Sequence, residues 1–193
     1  MAQLLSQEPI SIESWPTWRV RLLGWIGDES HQTDAAWHSA TDFMRSQMDG
    51  AGELPAPLVR DGFAWYLLGR ALMHSKEPDR GAASERAFRR SIALDNRFAR
   101  AHRNLAISLL MQPDQETPER KEEIEKEIAR AKELEPTLKL VAVYAQAALE
   151  RHDMPQAEQL YARAFAEEPE DSNAVGWAIA VVSNQQHAGS RAS

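Results

Sequence analysis

An internal echo limits the possible folds of this chain more than any other feature. Glu123 to Pro136 read Glu-Ile-Glu-Lys-Glu-Ile-Ala-Arg-Ala-Lys-Glu-Leu-Glu-Pro, and 33 residues later Gln156 to Pro169 read Gln-Ala-Glu-Gln-Leu-Tyr-Ala-Arg-Ala-Phe-Ala-Glu-Glu-Pro. Ile124, Ile128 and Ala131 therefore correspond to Ala157, Tyr161 and Ala164. Ser84, Phe88 and Ser91 form an earlier copy with the same spacings of four and three. Those spacings keep side chains on one face of a helix. The segments ahead of them repeat as well: Trp65, Leu68, Gly69 and Leu72, then His102, Leu105, Ala106 and Leu109, then Val141, Tyr144, Ala145 and Ala148. A small residue (Gly69, Ala106, Ala145) recurs at one place and lets the paired helix come close. One helix pair cannot bury its apolar stripe alone, so repeats of this size must stack.

Local punctuation agrees with a helical chain. Thr117-Pro118-Glu119 and Asp153-Met154-Pro155 each place a candidate N-cap before a first-turn proline. Glu135-Pro136 and Glu168-Pro169 stop helices, because proline disfavours the helical state in the residue before it. Strand signals are scarce, and Asp49-Gly50 and Asp61-Gly62 sit in linkers between helices. About nine helices are predicted, over 15–26, 34–48, 57–74, 80–94, 98–111, 118–134, 138–151, 154–167 and 172–184. Short links between helices of this length favour antiparallel neighbours.

Ala64-Trp65-Tyr66-Leu67-Leu68-Gly69-Arg70-Ala71 resembles the first helix of the tetratricopeptide repeat family, and Ala164 with the Pro169 stop resembles the end of its second helix. The resemblance covers about residues 60 to 184. It implies an all-α fold, a right-handed superhelix of antiparallel helix pairs with a concave, partner-binding groove. On this reading residues 1–56 are a Trp-rich helical segment (a cap or a degenerate repeat), 57–184 hold three repeats and a closing helix, and 185–193 are a disordered tail. Two departures are Ser84, where the family favours alanine, and the extra residues around Gln112 to Thr117.

In that family the first helix of each repeat lines the groove. Carried over, the lining residues are Tyr66, Arg70 and Met73, then Arg100, Arg103, Asn104 and Ile107, then Lys139, Val143 and Gln146. Asn104 and Lys139 match two positions of the family's carboxylate clamp, whereas Tyr66, Arg70 and Val143 depart from others. The groove would be locally basic, since Asp79 to Arg103 holds seven Arg against three acids. Guanidinium groups pair bidentately with carboxylates, so an acidic peptide or C-terminus is the expected ligand.

Composition narrows the function classes. A net charge of −7 argues against a general nucleic-acid binder, which needs a positive field. With no cysteine, disulfides, thiolate metal sites and cysteine nucleophiles are excluded. None of the six histidines pairs with another at metal-ligand spacing, and phosphate-binding glycine loops and nucleophile elbows are missing. The acidic run Glu119 to Glu135 is interleaved with Arg and Lys, and spacings such as Glu122 to Lys126 read as a salt-bridged, solvated helix face. No catalytic residues, metal or cofactor are expected. Nor are a signal peptide or membrane insertion, which leaves a cytoplasmic location as the default.

The function expected is therefore a non-catalytic adaptor or scaffold that binds a partner peptide or helix in the basic groove. Two alternatives stand beside it. A dedicated chaperone would use Met73, Ile107 and Val143 against a client. A regulatory or structural subunit of a larger complex would use the two ends of the chain. Four of the six Trp lie in the first 37 residues, with Trp18, Leu22 and Trp25 on one helix face, expected to pack on the first repeat. At the other end Ala174 to Val182 is apolar nearly all round, so Trp177 and Val181 are candidates for a second interface or for homo-oligomer contacts.

Overall fold

A computed structural model of the chain describes residues 10–25, 35–115, 117–137, 140–150, 152–167 and 176–182. All regular structure among them is helical. Helix α1 is Trp15–Trp25, α2 Ala35–Gln47, α3 Gly62–Met73, α4 Arg80–Leu94, α5 Ala99–Leu110, α6 Pro118–Leu134, α7 Leu140–Glu150 and α8 Met154–Glu167; residues 176–182 form α9. No helix among the described residues is long and apolar enough to cross a membrane. The chain divides into two compact units, Met1–Asn96 and Arg97–Ser193. The expected tail, 185–193, lies outside the described residues, as do Lys139 and the side chains of Trp25, Trp37 and Gln146.

The expected helix over 57–74 is broken in two. A 3-10 turn, Leu58–Arg60, is followed by extended Asp61 (φ −107°, ψ 109°), and α3 starts afresh at Gly62. Asp61 imposes the restart, because its carboxylate accepts the Phe63 N–H at 3.0 Å and so caps the new helix. The signals at Pro118 and Pro136 hold, and the Glu168-Pro169 stop lies outside the described residues. Thr117 is extended before Pro118, and α6 ends ahead of Pro136. The Thr117 hydroxyl, however, donates to the Asp114 carbonyl (3.0 Å) and does not cap α6. At α8 the Asp153 carboxylate does accept the Gln156 N–H, at 3.3 Å.

In the first unit α3 packs on α4 as a helix pair, and α2 packs on α3. Residues 63–69 of α3 are buried without a break, as a helix apolar on every side requires. One side of α3 faces aromatic rings. Trp15 stacks on Phe63 (6.1 Å between centroids), Phe63 on Tyr66 (5.9 Å), and Tyr66 lies tilted against Phe88 of α4 (6.0 Å). Gly69 faces that Phe88 ring, and a Cβ there would fall 2.6 Å from it. The small residue is thus the condition for the α3–α4 approach. Asp61 also ties α1 down, accepting the Trp15 indole N–H at 2.7 Å and the Arg19 Nε–H at 2.9 Å. Trp15, Trp18 and Leu22 are buried, as expected of a helix packed on the first repeat, while Val20 is exposed.

In the second unit α5 pairs with α6, α7 with α8, and α5 packs on α7. The echoed positions of the second helices are buried in all three pairs: Ser84, Phe88 and Ser91; Ile124, Ile128 and Ala131; Ala157, Tyr161 and Ala164. The first helices repeat less strictly, since Tyr144 of α7 is exposed where Leu68 and Leu105 are buried. Buried His102 of α5 and half-buried Glu127 of α6 form a pair, Nδ1 to Oε2, at 2.6 Å. Ala145, Ala148, Ala157, Tyr161 and Ala180 make a core joining α7, α8 and α9. Gly176 lets α9 lie directly on the Tyr161 ring. The charged face of α6 exists, but it is held by Arg120–Glu123 (3.1 Å) and Arg130–Glu133 (2.7 Å), not by Glu122 and Lys126.

Candidate functional site

The two sides of α3 meet different surroundings. Residues 65, 68 and 72 lie within one third of the helix circumference, and residues 66, 69 and 73 lie on the adjoining third. The second set turns into the core. Tyr66 (1% exposed) and Met73 are buried, and Arg70 is half-buried beside them. The first set is buried as well (Trp65 3%, Leu68 0% and Leu72 7% exposed) and lies beneath an open cleft of about 600 Å³, a size within the usual range of ligand sites. Trp65, Leu68 and Leu72 of α3 line it from below together with Ala83 and Ala87 of α4. Arg86, Arg89 and Arg90 of α4 edge it, and Arg45 of α2 and the loop 48–53 close the far side.

The loop wall is preorganised. Asp49 Oδ1 accepts the N–H groups of Ala51 and Glu53, both at 2.9 Å, and the Asp49 N–H donates to the Glu53 carbonyl at 3.0 Å. Gly52 closes the turn at φ +84°, a conformation that costs a side chain energy and that glycine adopts freely. The loop thereby presents Glu53 to Arg90, 3.0 Å away. Arg90 also lies over the Trp65 ring, 5.9 Å from its centroid, and the Trp65 indole N–H is anchored on the Val59 carbonyl at 3.0 Å.

Most charges along the cleft are already matched. Arg45 pairs with Glu77 (3.5 Å), Arg89 with Glu85 (2.7 Å) and Arg90 with Glu53. Each pair has at least one largely exposed member, so each is worth only about 0–1 kcal/mol and can be exchanged for a better partner. Arg86 is exposed and forms no hydrogen bond or ion pair among the described residues. No cluster of three metal-binding side chains occurs among the described residues.

The residues expected to line a groove are placed otherwise. In the second unit Ile107 and Val143 are fully buried and Asn104 is nearly so. The Arg100 side chain is 12% exposed and lies 4.0 Å from Glu135, and Arg103 is half-buried. Trp177 rests against Phe165 (5.9 Å) yet stays 36% exposed, Val181 is half-buried, and Ile179 and Val182 stand open on the same helix. The cleft residues Arg86, Arg90 and Trp65 were not among the expected site residues. Their signal was the arginine-rich stretch after Asp79, in which Ala83, Arg86 and Arg90 share one helix face. Neither a protein-family model nor a curated protein matches the sequence.

Proposed function

We propose that this chain is a non-catalytic adaptor or scaffold of the tetratricopeptide-repeat type, holding a segment of a partner protein on its helix-pair surface. The repeat reading rests on three consecutive helix pairs whose second helices bury residues at the same spacings. On it, the pairs are turns of a right-handed superhelix. The binding reading rests on one observation above the others: an open cleft over the α3–α4 pair with a fixed loop wall and a rim of arginines and acids. Such a surface combines apolar area with a few orienting charges, the usual make-up of a recognition site.

The test is affinity capture from native lysate with three variants: Arg86→Glu/Arg90→Glu, Arg100→Glu/Arg103→Glu and Trp177→Asp. Each is first shown by a melting curve to be folded. Loss of one specific protein from the first variant alone supports the cleft. Its retention by that variant refutes the cleft as the binding surface. A second reading, a structural subunit of a larger complex, is favoured by the exposed Trp177, Ile179 and Val182 of α9. It requires Trp177→Asp to release the partner while both charge variants keep it.

A further inference from the structure

We infer that α9 is the first helix of a fourth pair, and that its open side seats a second helix brought by a partner protein. That helix is amphipathic, with small or apolar side chains at spacings of four and three. The inference rests on the second reading, a contact through α9, and names the chemistry of the partner that makes it. A step of 33 residues carries Pro136 to Pro169. The same step carries Val143 and Ala147 of α7 to Gly176 and Ala180 of α9, and all four are buried. Ala145 and Ala148 of α7 go to Ala178 and Val181. At this second set the two helices part. Ala145 and Ala148 are fully buried in a core with Ala157 and Tyr161 of α8, whereas Ala178 is exposed and Val181 half-buried. The side that α7 gives to its own second helix is thus the side that α9 leaves open.

The three pairs of the chain show what such a side takes. α4, α6 and α8 each bury residues at spacings of four and three, and the middle one (Phe88, Ile128 or Tyr161) is large every time. Residues 183–193 hold no apolar side chain larger than alanine, so they do not furnish that middle residue. Ala178 also stands where Gly69, Ala106 and Ala145 stand in the first helices, the place at which a small residue lets the second helix come close. Residues 176–182 carry no charge, and Trp177, Ile179 and Val182 are exposed among them. The facing side of the partner helix is therefore apolar and its charges lie on the far side, as in other helices that dock through one face.

The experiment is selection of a library of helical peptides on the whole chain, at the lengths of α4, α6 and α8 (15, 17 and 14 residues), followed by fluorescence-polarisation titration. Selected sequences are expected to place a large apolar residue four after one small or apolar residue and three before another. Ala178→Phe separates a helix seat from a merely apolar surface. Ala178 is exposed, so the variant should keep its melting temperature. A closely packed helix should nevertheless bind it about tenfold more weakly or worse, although the ring adds apolar area. Equal or tighter binding by Ala178→Phe, with binding lost in Trp177→Asp, overturns the helix seat and leaves α9 as an apolar contact. Peptides indifferent to both variants, or no selected peptide at all, overturn the inference. A dimer in sedimentation that Trp177→Asp dissociates makes a second copy the occupant and overturns the partner helix.

Discussion

Replacing Gly69 by alanine sets two effects of opposite sign against each other. Alanine is the better helix former by about 1 kcal/mol, so in an exposed helix the change would stabilise. At Gly69 the new Cβ would lie 2.6, 2.8 and 2.9 Å from three carbons of the Phe88 ring. Carbon atoms rest at about 3.5–4.0 Å, so the ring must retreat by about 1 Å. It has little room, because Phe88 is fully buried and already packs against Tyr66, with ring centroids 6.0 Å apart. Overpacking of this kind costs about 1–3 kcal/mol, and a fully buried ring belongs at the upper end. The net expectation is a loss of about 1–2 kcal/mol despite the gain in propensity.

Urea unfolding followed by tryptophan fluorescence and far-ultraviolet circular dichroism measures the loss, with both probes because two units need not unfold together. Gly24→Ala is the internal control. That glycine is exposed in α1 with nothing within 4 Å of its would-be Cβ, so the substitution should stabilise by about 0.5–1 kcal/mol. Phe88→Leu in the Gly69→Ala background tests the cause, because the smaller side chain makes room for the methyl. The double variant should be more stable than the sum of the single effects by about 1 kcal/mol. Stabilisation by Gly69→Ala, or strict additivity with Phe88→Leu, would refute the argument that this contact sets the α3–α4 approach.

Three further outcomes follow from single side chains. Asp61→Ala removes the α3 cap and the anchors of Trp15 and Arg19 together and should cost about 2–3 kcal/mol, while Asp61→Asn keeps an acceptor and should cost clearly less in the same urea titration. Glu127→Ala leaves the His102 ring nitrogen buried without its acceptor, an expected loss of about 1–3 kcal/mol, whereas Glu127→Gln should lose under about 1 kcal/mol; equal effects of the two would exclude the pair as the source. Gly52→Ala forces a side chain into a left-handed conformation at about 1–2 kcal/mol, although Gly50→Ala nearby should be close to neutral, a contrast that thermal unfolding resolves.

The helix pairs were legible in the sequence because burial and spacing are the same fact seen twice. Phe88, Ile128 and Tyr161 recur among small or aliphatic neighbours at spacings of four and three, and each sits in the seam of its pair. Gly69 was legible for the same reason, since only a position in close contact demands so small a residue. The break at Asp61 was less so. An Asp-Gly dipeptide announces a linker, but only the captured Phe63 N–H shows that a new helix starts there. The position of the cleft was hidden for a different physical reason. Periodicity says which residues share a side of α3; it does not say which side a neighbour will cover. Trp15 takes the side that holds Phe63 and Tyr66, from 46 residues upstream of Asp61, through contacts between side chains that no local pattern encodes.

Both sides of α3 are covered within the first unit. α3 is apolar on every side, so a helix pair alone would leave it half exposed, and α1 and α2 are what close it. The aromatic contacts from Trp15 to Phe88 cover one side, and on the other Trp65, Leu68 and Leu72 are buried beneath the cleft. Ion pairs such as Arg90–Glu53, whose members are 61% and 44% exposed, lie along its rim. Pairs that exposed contribute about 0–1 kcal/mol, so separating Arg90 from Glu53 would cost the fold little. The more enclosed His102–Glu127 pair, with side chains 6% and 13% exposed, could not be separated so cheaply, because that strands polar groups largely cut off from water. On the proposed reading the core contacts of α3 carry stability and the charged rim on α4 carries recognition. Substitutions on the Tyr66–Gly69 side should lower the melting temperature, and those at Arg86 and Arg90 should change binding with the melting temperature held.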